Sequence, residues 1–305
     1  MVTSPRPAPH HDDGASPILG RRSRAPRALI AAALAILLPG CVSASPNAAP
    51  PTAPSPPVSS PTIVLPPVGA IPDYQLGGAY EPADEVGAVG RDRLAAPVEG
   101  AYSICYVNGF QTQPGELETW PDELLLHDEG VPVMDPDWPD EALLDTSTAA
   151  KRARILDTVG PWISGCAADG FDAVEFDNLD SYTRSDGRLD LADNLALAAS
   201  FAETAHAAGL AAGQKNAAED AAQLRTSAGF DFALVEECAA WEECAAYADV
   251  YGDRVIDIEY TDRLPRSFAA MCRDPGSPRS MVLRDRALSA PDDPDHVFES
   301  CDAVG

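Results

Sequence analysis

Glu175, Asp177, Asn178 and Asp180 crowd into six residues where the run Phe171-Asp172-Ala173-Val174-Glu175-Phe176 comes to its end. Read as a β-strand, the segment turns Glu175 and Asp177 to one side, because side chains alternate along a strand. Two like charges so close raise one of the pKa values, which is how a carboxylic acid stays protonated at working pH. A second apolar run, Phe230 to Val235, ends in Glu236, and Leu210 to Gln214 between them ends in Lys215-Asn216. Hydrolysis of a glycosidic bond needs two carboxyl groups flanking it, one to protonate the leaving oxygen and one ionised as base or nucleophile. Asp177 and Glu236 are the candidate pair, with Lys215 and Asn216 as counter-charge and amide donors.

Other chemistries fit less well. Asp177, Asp180 and Glu175 are hard-cation ligands by type, but their spacing is not that of a calcium-binding loop. The serine elbow Gly-x-Ser-x-Gly does not occur, and His10, His11, His127, His206 and His296 are too scattered for a zinc site. No metal and no cofactor are expected. The plain alternative is that the acids are solvated strand ends and Lys215 a salt-bridged structural residue.

The elements that must position these groups alternate, short apolar runs with Ala-rich helical stretches, as in a parallel sheet wrapped by helices. Helices are predicted over about 149–168 and 191–208, the latter ended by Gly209, and near 219–227. Strands are predicted at 171–178, 210–214, 230–236 and 254–260, the last carrying Glu259. Tyr74-Gln75-Leu76, a weak segment at 86–92 interrupted by Gly87 and Gly90, 102–108 and Leu143-Leu144-Asp145 complete eight. Several strands that close on polar side chains are what a (β/α)8 barrel does at its C-terminal rim. A doubly wound sheet usually shows a Gly-rich phosphate turn, and none is present. The barrel is placed at 71–275, with 276–305 as an extension packed on it.

Ahead of the barrel, Arg21, Arg22, Arg24 and Arg27 precede the apolar run Ala28 to Leu38, the layout of an export signal too short to span a bilayer. It ends in Leu38-Pro39-Gly40-Cys41, which resembles a bacterial lipobox, so Cys41 is the expected lipidation site, with plain secretion as the alternative. Residues 42–70, rich in Ala, Pro, Ser and Thr, read as an unstructured tether. The chain carries 21 Lys+Arg against 48 Asp+Glu. Because residues 1–41 hold five Arg and two Asp, their removal takes the formal charge from −27 to −30. That excludes nucleic acid as a natural partner and suits a cationic one. The six cysteines after Cys41 read as disulfides in an exported protein: Cys105, Cys166, Cys238, Cys244, Cys272 and Cys301. Cys238 with Cys244 and Cys272 with Cys301 are natural pairings among the 15 that six cysteines allow.

Over about residues 72–272 the chain resembles glycoside hydrolase family 114, the endo-α-1,4-polygalactosaminidase group. The resemblance lies in Tyr74-Gln75-Leu76, Ile104-Cys105-Tyr106, Trp138 to Asp145, Gly170 to Tyr182, Ala205 to Leu210, Lys215-Asn216, Glu236-Glu237-Cys238 with Glu243-Cys244, and Glu259-Tyr260. It implies a TIM barrel, cleavage within galactosamine-containing chains, and catalysis by Asp177 and Glu236. Substrate contacts are implied from Gln75, Asp180, Tyr182, Lys215, Asn216 and Glu259, beside Glu175 and Asn178 from the acidic cluster itself. The chain departs from the family at Tyr74, where Trp is usual, at Val107 to Gln111, and at Ser147, where Arg is common. The resulting expectation is an extracytoplasmic, monomeric endo-glycosidase that takes a cationic aminosugar polymer and meets a membrane only through its lipid anchor. A non-catalytic carbohydrate-binding lipoprotein on the same barrel is the alternative.

Overall fold

The computed structural model describes residues 62–301. The expected export signal, Cys41 and the tether as far as residue 61 lie outside the described residues. Eight parallel strands run in sequence order around one sheet: β1 (Ile71–Tyr74), β2 (Val86–Asp92), β3 (Tyr102–Asn108), β4 (Ala173–Asp177), β5 (Ala211–Lys215), β6 (Phe232–Glu236), β7 (Val255–Tyr260) and β8 (Ser280–Arg284). A short ninth strand, β9 (Phe298–Ser300), pairs antiparallel with β8 at the edge that would otherwise meet β1. The seam between β8 and β1 is bridged by a side chain. Arg284, fully buried, donates to Asp73 Oδ1 at 2.6 Å and to the Tyr74 carbonyl.

Helices cover the sheet from β3 onward: α1 (Ala149–Asp169), α2 (Leu191–Ala207), α3 (Ala221–Gln223) running on as a π turn over Leu224–Ala228, α4 (Cys244–Tyr251) and α5 (Phe268–Cys272). The β1–β2 and β2–β3 connections carry none. Local chemistry sets the ends. The Thr148 side chain accepts from Lys151 N at the start of α1, and Gly170, at φ 98°, ends it. Asp190 and Asp193 form a capping box on α2.

Alternation divides the strand residues into two cores. Cys105, Val107, Val174, Phe176, Ala212 and Val235 face outward onto Ile155, Val159, Ile163, Leu197 and Phe201 of the helices. Ile104, Ala173, Ala211, Phe232, Leu234, Ile256, Ile258 and Val282 fill the barrel. Gly90 on β2 is required there, since a Cβ on it would sit 2.5 Å from the Tyr74 ring. The glycine that weakens the β2 pattern in the sequence is what lets a tyrosine enter the barrel.

Three expectations change. Leu143-Leu144-Asp145 is not a barrel strand; it makes single bridges to Gln111 and Leu125 inside the β3–α1 connection, where its leucines are buried beside Phe110. The eighth strand is Ser280–Arg284, so the barrel extends into the segment read as an extension. That run is short and ends in a charge, which is buried against the distant Asp73 and the Tyr74, Val297 and Ser289 carbonyls. The last part of the tether also belongs to the fold: Ile63 and Leu65 pack on the interior core, and the Val64 and Pro66 carbonyls accept from Tyr102 and Arg254.

All six cysteines are paired, as Cys105–Cys166, Cys238–Cys244 and Cys272–Cys301. The first fastens α1 to β3, the second closes the loop after β6, and the third ties α5 to the end of β9. Among the described residues no helix is long and apolar enough to cross a membrane.

Candidate active site

The inward positions at the C-terminal ends of β3 to β7 bring Tyr106, Asp177, Lys215, Glu236 and Tyr260 together. Lys215, 3 % exposed, places its Nζ 3.0 Å from Glu236 Oε2 and 3.6 Å from Asp177 Oδ2. The two carboxylate oxygens are therefore no farther apart than those two legs laid end to end. The Tyr106 hydroxyl donates to Asp177 Oδ2 at 2.8 Å, and the Tyr260 hydroxyl donates to Glu236 Oε1. Asn216 Nδ2 donates to Glu236 Oε2 at 3.3 Å while its Oδ1 accepts from Glu236 N at 2.9 Å.

The electrostatics follow from this geometry. Burial favours neutral Lys215, but Asp177, Glu236 and Glu175 outweigh it and raise its pKa. Burial likewise favours a protonated Glu236, yet Lys215 and the donors Tyr260 and Asn216 hold its carboxyl below the usual range. Burial and Asp177 push Tyr106 up, and burial and Glu236 do the same to Tyr260, so both phenols remain donors. One step deeper, Glu175 is fully buried, and neither of its oxygens nor the neighbouring Tyr74 hydroxyl has a hydrogen-bond partner among the described residues. Burial, reinforced by Asp177 and Glu236 and opposed by Lys215, pushes its pKa up to about 8.

The backbone turns sharply after each of these strand ends. Asn178 (φ 60°), Asn216 (φ 52°) and Glu237 (φ 60°) directly follow Asp177, Lys215 and Glu236 and all adopt the left-handed conformation. For non-glycine residues that costs on the order of 1 kcal/mol each. Side-chain bonds hold the turns: Asn178 Nδ2 donates to Asn108 Oδ1 at 3.1 Å, and Arg286 grips Glu237 through two bonds of 2.7 and 3.0 Å.

The remaining candidate residues divide. Asp180 and Asn178 lie on the rim, both accepting from Arg184, and Tyr182 donates to Asp220 Oδ2 at 3.0 Å across the β4 and β5 loops. Gln75 and Glu259 are hydrogen-bonded to groups outside the Asp177–Lys215–Glu236 cluster. Gln75 is buried, donating to Asp73 and accepting from Tyr80 N and Arg91 Nε, so it fixes the loop after β1. Glu259 points outward from β7 with Asp257, beneath the loop that the Cys238–Cys244 disulfide closes. The Cys238 and Ala239 N–H groups donate to Asp257 and Glu259 respectively. Cys238, Cys244 and Asp257 also converge, but both sulfurs are spent in the disulfide.

Tyr106 and Tyr260 carry no motif that marks them as site residues, although each continues an inward alternation, after Ile104 and after Ile256 and Ile258. Glu141, on the β3–α1 connection, lies in a stretch with no periodic pattern. Its Oε2 accepts from Asn108 Nδ2 at 2.9 Å.

A parallel barrel with paired carboxyls and a lysine at the C-terminal mouth is the equipment of a barrel glycosidase. Residues 52–304 match Glycoside-hydrolase family GH114, and the chain belongs to that family. It is a glycoside hydrolase. Its fold is similar to the crystal structure of Aspergillus fumigatus Ega3 in complex with galactosamine, with 24 % identity, TM-score 0.61, and coverage of 76 % of this chain and 98 % of that one. It is also similar to the glycoside hydrolase domain of PelA from Pseudomonas aeruginosa, with 15 % identity, TM-score 0.52, and coverage of 74 % and 97 %. No curated protein matches the chain.

Proposed function

We propose that the protein cleaves internal glycosidic bonds of a galactosamine-containing polysaccharide outside the cytoplasm, with Asp177 and Glu236 as the working carboxyl pair. The observation that carries this reading is the Asp177–Lys215–Glu236 bridge, in which one buried ammonium contacts both carboxylates. The Ega3 structure holds galactosamine, and that supports the sugar class. So does the acidity of the chain, because a partly deacetylated aminosugar polymer is cationic and an acidic cleft concentrates it. Trp138, 62 % exposed on the loop after β3, offers an aromatic face on which a sugar ring stacks.

Carboxyl groups about 5–5.5 Å apart retain the configuration and those about 6.5–9.5 Å apart invert it, and we propose the retaining course. In a retaining reaction one carboxylate attacks the anomeric carbon, the bond to the leaving oxygen breaks, and the second carboxyl gives that oxygen a proton. A glycosyl ester then joins sugar and protein. Water, deprotonated by the second carboxylate, attacks the same carbon and releases the first. Tyr106, Tyr260 and Asn216 keep the pair oriented throughout.

The site of action is read from the three disulfides, the basic-then-apolar leader and the lipobox-like Leu38 to Cys41. On this reading Cys41 carries the lipid and the barrel hangs from it as a monomer. The test is Asp177→Asn and Glu236→Gln in an assay for new reducing ends on polygalactosamine. Loss of hydrolysis in both, with the fold intact by circular dichroism, is expected; unchanged hydrolysis overturns the assignment. Binding of the polymer by the unaltered protein without new reducing ends points instead to a carbohydrate-binding surface protein.

A further inference from the structure

Two cations hold four of the acids near the mouth. Lys215 serves Asp177 and Glu236, and Arg184 serves Asp135 and Asp180 with contacts of 2.6 and 2.9 Å. Glu141, 8 % exposed, has no ion pair among the described residues. Its Oε2 is fixed by Asn108, and Asn108 in turn accepts from Asn178, the residue after Asp177. The other oxygen, Oε1, has no hydrogen-bond partner among the described residues and is not among the sealed, unsatisfied atoms. The turn that delivers Glu141 is built for the purpose: Asp135 N donates to the Glu141 carbonyl at 2.8 Å, and Glu141 N to the Trp138 carbonyl at 2.9 Å.

A carboxylate is a poor choice if holding Asn108 were its only task, because glutamine would accept the same bond without a buried charge. We infer that Glu141 is a specificity-determining residue, whose free oxygen takes the ammonium group of an aminosugar bound beside Asp177. The inference rests on the aminosugar reading of the site and names the group that reads the amine. Burial and Asp177 push the Glu141 carboxyl up to about 7, against the pull of Asn108. A cation arriving at Oε1 removes that strain, whereas an N-acetylated sugar brings none.

The experiment measures binding, so that it stands apart from turnover. Calorimetric titration of the Asp177→Asn protein, with and without Glu141→Gln, uses an α-1,4-linked galactosamine oligosaccharide and its fully N-acetylated counterpart. The expected result is that the affinity ratio, free amine over acetylated, falls at least about tenfold on Glu141→Gln. A retained Asn108 bond cannot produce that change, and Glu141→Asp is expected to recover part of the ratio. An unchanged ratio, or equal weakening on both oligomers, overturns the inference. Charge-selective binding by the Asp177→Asn protein, combined with an absence of hydrolysis by the unaltered protein, overturns the hydrolytic reading alone. Binding of neither oligomer overturns both.

Discussion

The ammonium of Lys215 sits 3.0 Å from Oε2 of Glu236, and each keeps the other charged in a site whose burial favours neutral forms. The same ammonium reaches Asp177, so one cation makes it possible for two acids to face a single bond. Removing it is expected to act on stability and on pH dependence together.

In Lys215→Met the carboxylates keep their phenol and amide donors but lose the cation. The fold is expected to lose about 3 kcal/mol, the lower end for a broken buried pair, because Glu236 keeps some contact with solvent. In the unaltered protein the depressed Glu236 carboxyl contributes stability that is present above the ordinary glutamate pKa and lost as pH falls through the folded value. Without Lys215 that acid-side window closes, and the acidic limb of kcat/KM moves to higher pH. Denaturant unfolding at several pH values and a pH–rate profile read the two effects.

Glu175 is pushed up to about 8, so it is protonated at neutral pH and ionises on the alkaline side. Ionised, it adds a third negative charge beside Asp177 and Glu236 and competes for Lys215. Activity of the unaltered protein is expected to fall above about pH 8, and Glu175→Gln, which cannot ionise, is expected to carry activity further into alkali. An alkaline limb that does not move would show that Glu175 is electrostatically silent in catalysis.

Asp257 and Glu259 lie buried together under the loop that follows Glu236. Burial first, and Glu259 second, hold Asp257 well above the usual range. An acid raised in the folded state loses stability as pH rises from its unfolded value, about 3.9, toward its folded value, because the unfolded chain releases the proton first. Asp257→Asn keeps an acceptor for Cys238 N–H and cannot ionise. It is expected to stabilise the protein by about 1–3 kcal/mol at pH 7 to 8, with the gain vanishing near pH 4. Thermal melts across that range measure it.

The disulfides are expected to differ by the loops they close. Cys105–Cys166 spans 61 residues and Cys238–Cys244 only 6. In the chain-entropy account their removal costs about 4 and about 2 kcal/mol respectively. Cys105→Ala/Cys166→Ala should therefore lower the unfolding midpoint more, while Cys238→Ala/Cys244→Ala, beside the site, should have the larger effect on KM. Urea titration and kinetics on the two double variants decide between these effects.

Much of the architecture is legible along the chain because barrel strands and their helices are periodic and capped. The stretch from Ala149 to Tyr260 announces α1, β4, α2, β5, β6 and β7 by alternation of apolar runs with Ala-rich stretches and by Gly209 at a helix end. The position of Asp177, Lys215 and Glu236 at successive strand ends is enough to bring the three to one rim. Phase is different. In a parallel strand buried on both faces, polarity does not mark solvent, so Val255 to Tyr260 does not say that Tyr260 points into the barrel and Glu259 away from it. That follows from the register with β6 and β8. Closure is decided at still longer range: the charge of the buried Arg284 is met by Asp73, 211 residues earlier. Glu141 reaches the mouth because a turn folds back onto Asn108, 33 residues away. Local propensity acts over a few residues, and pairings of that reach exist only once the sheet has brought the partners together.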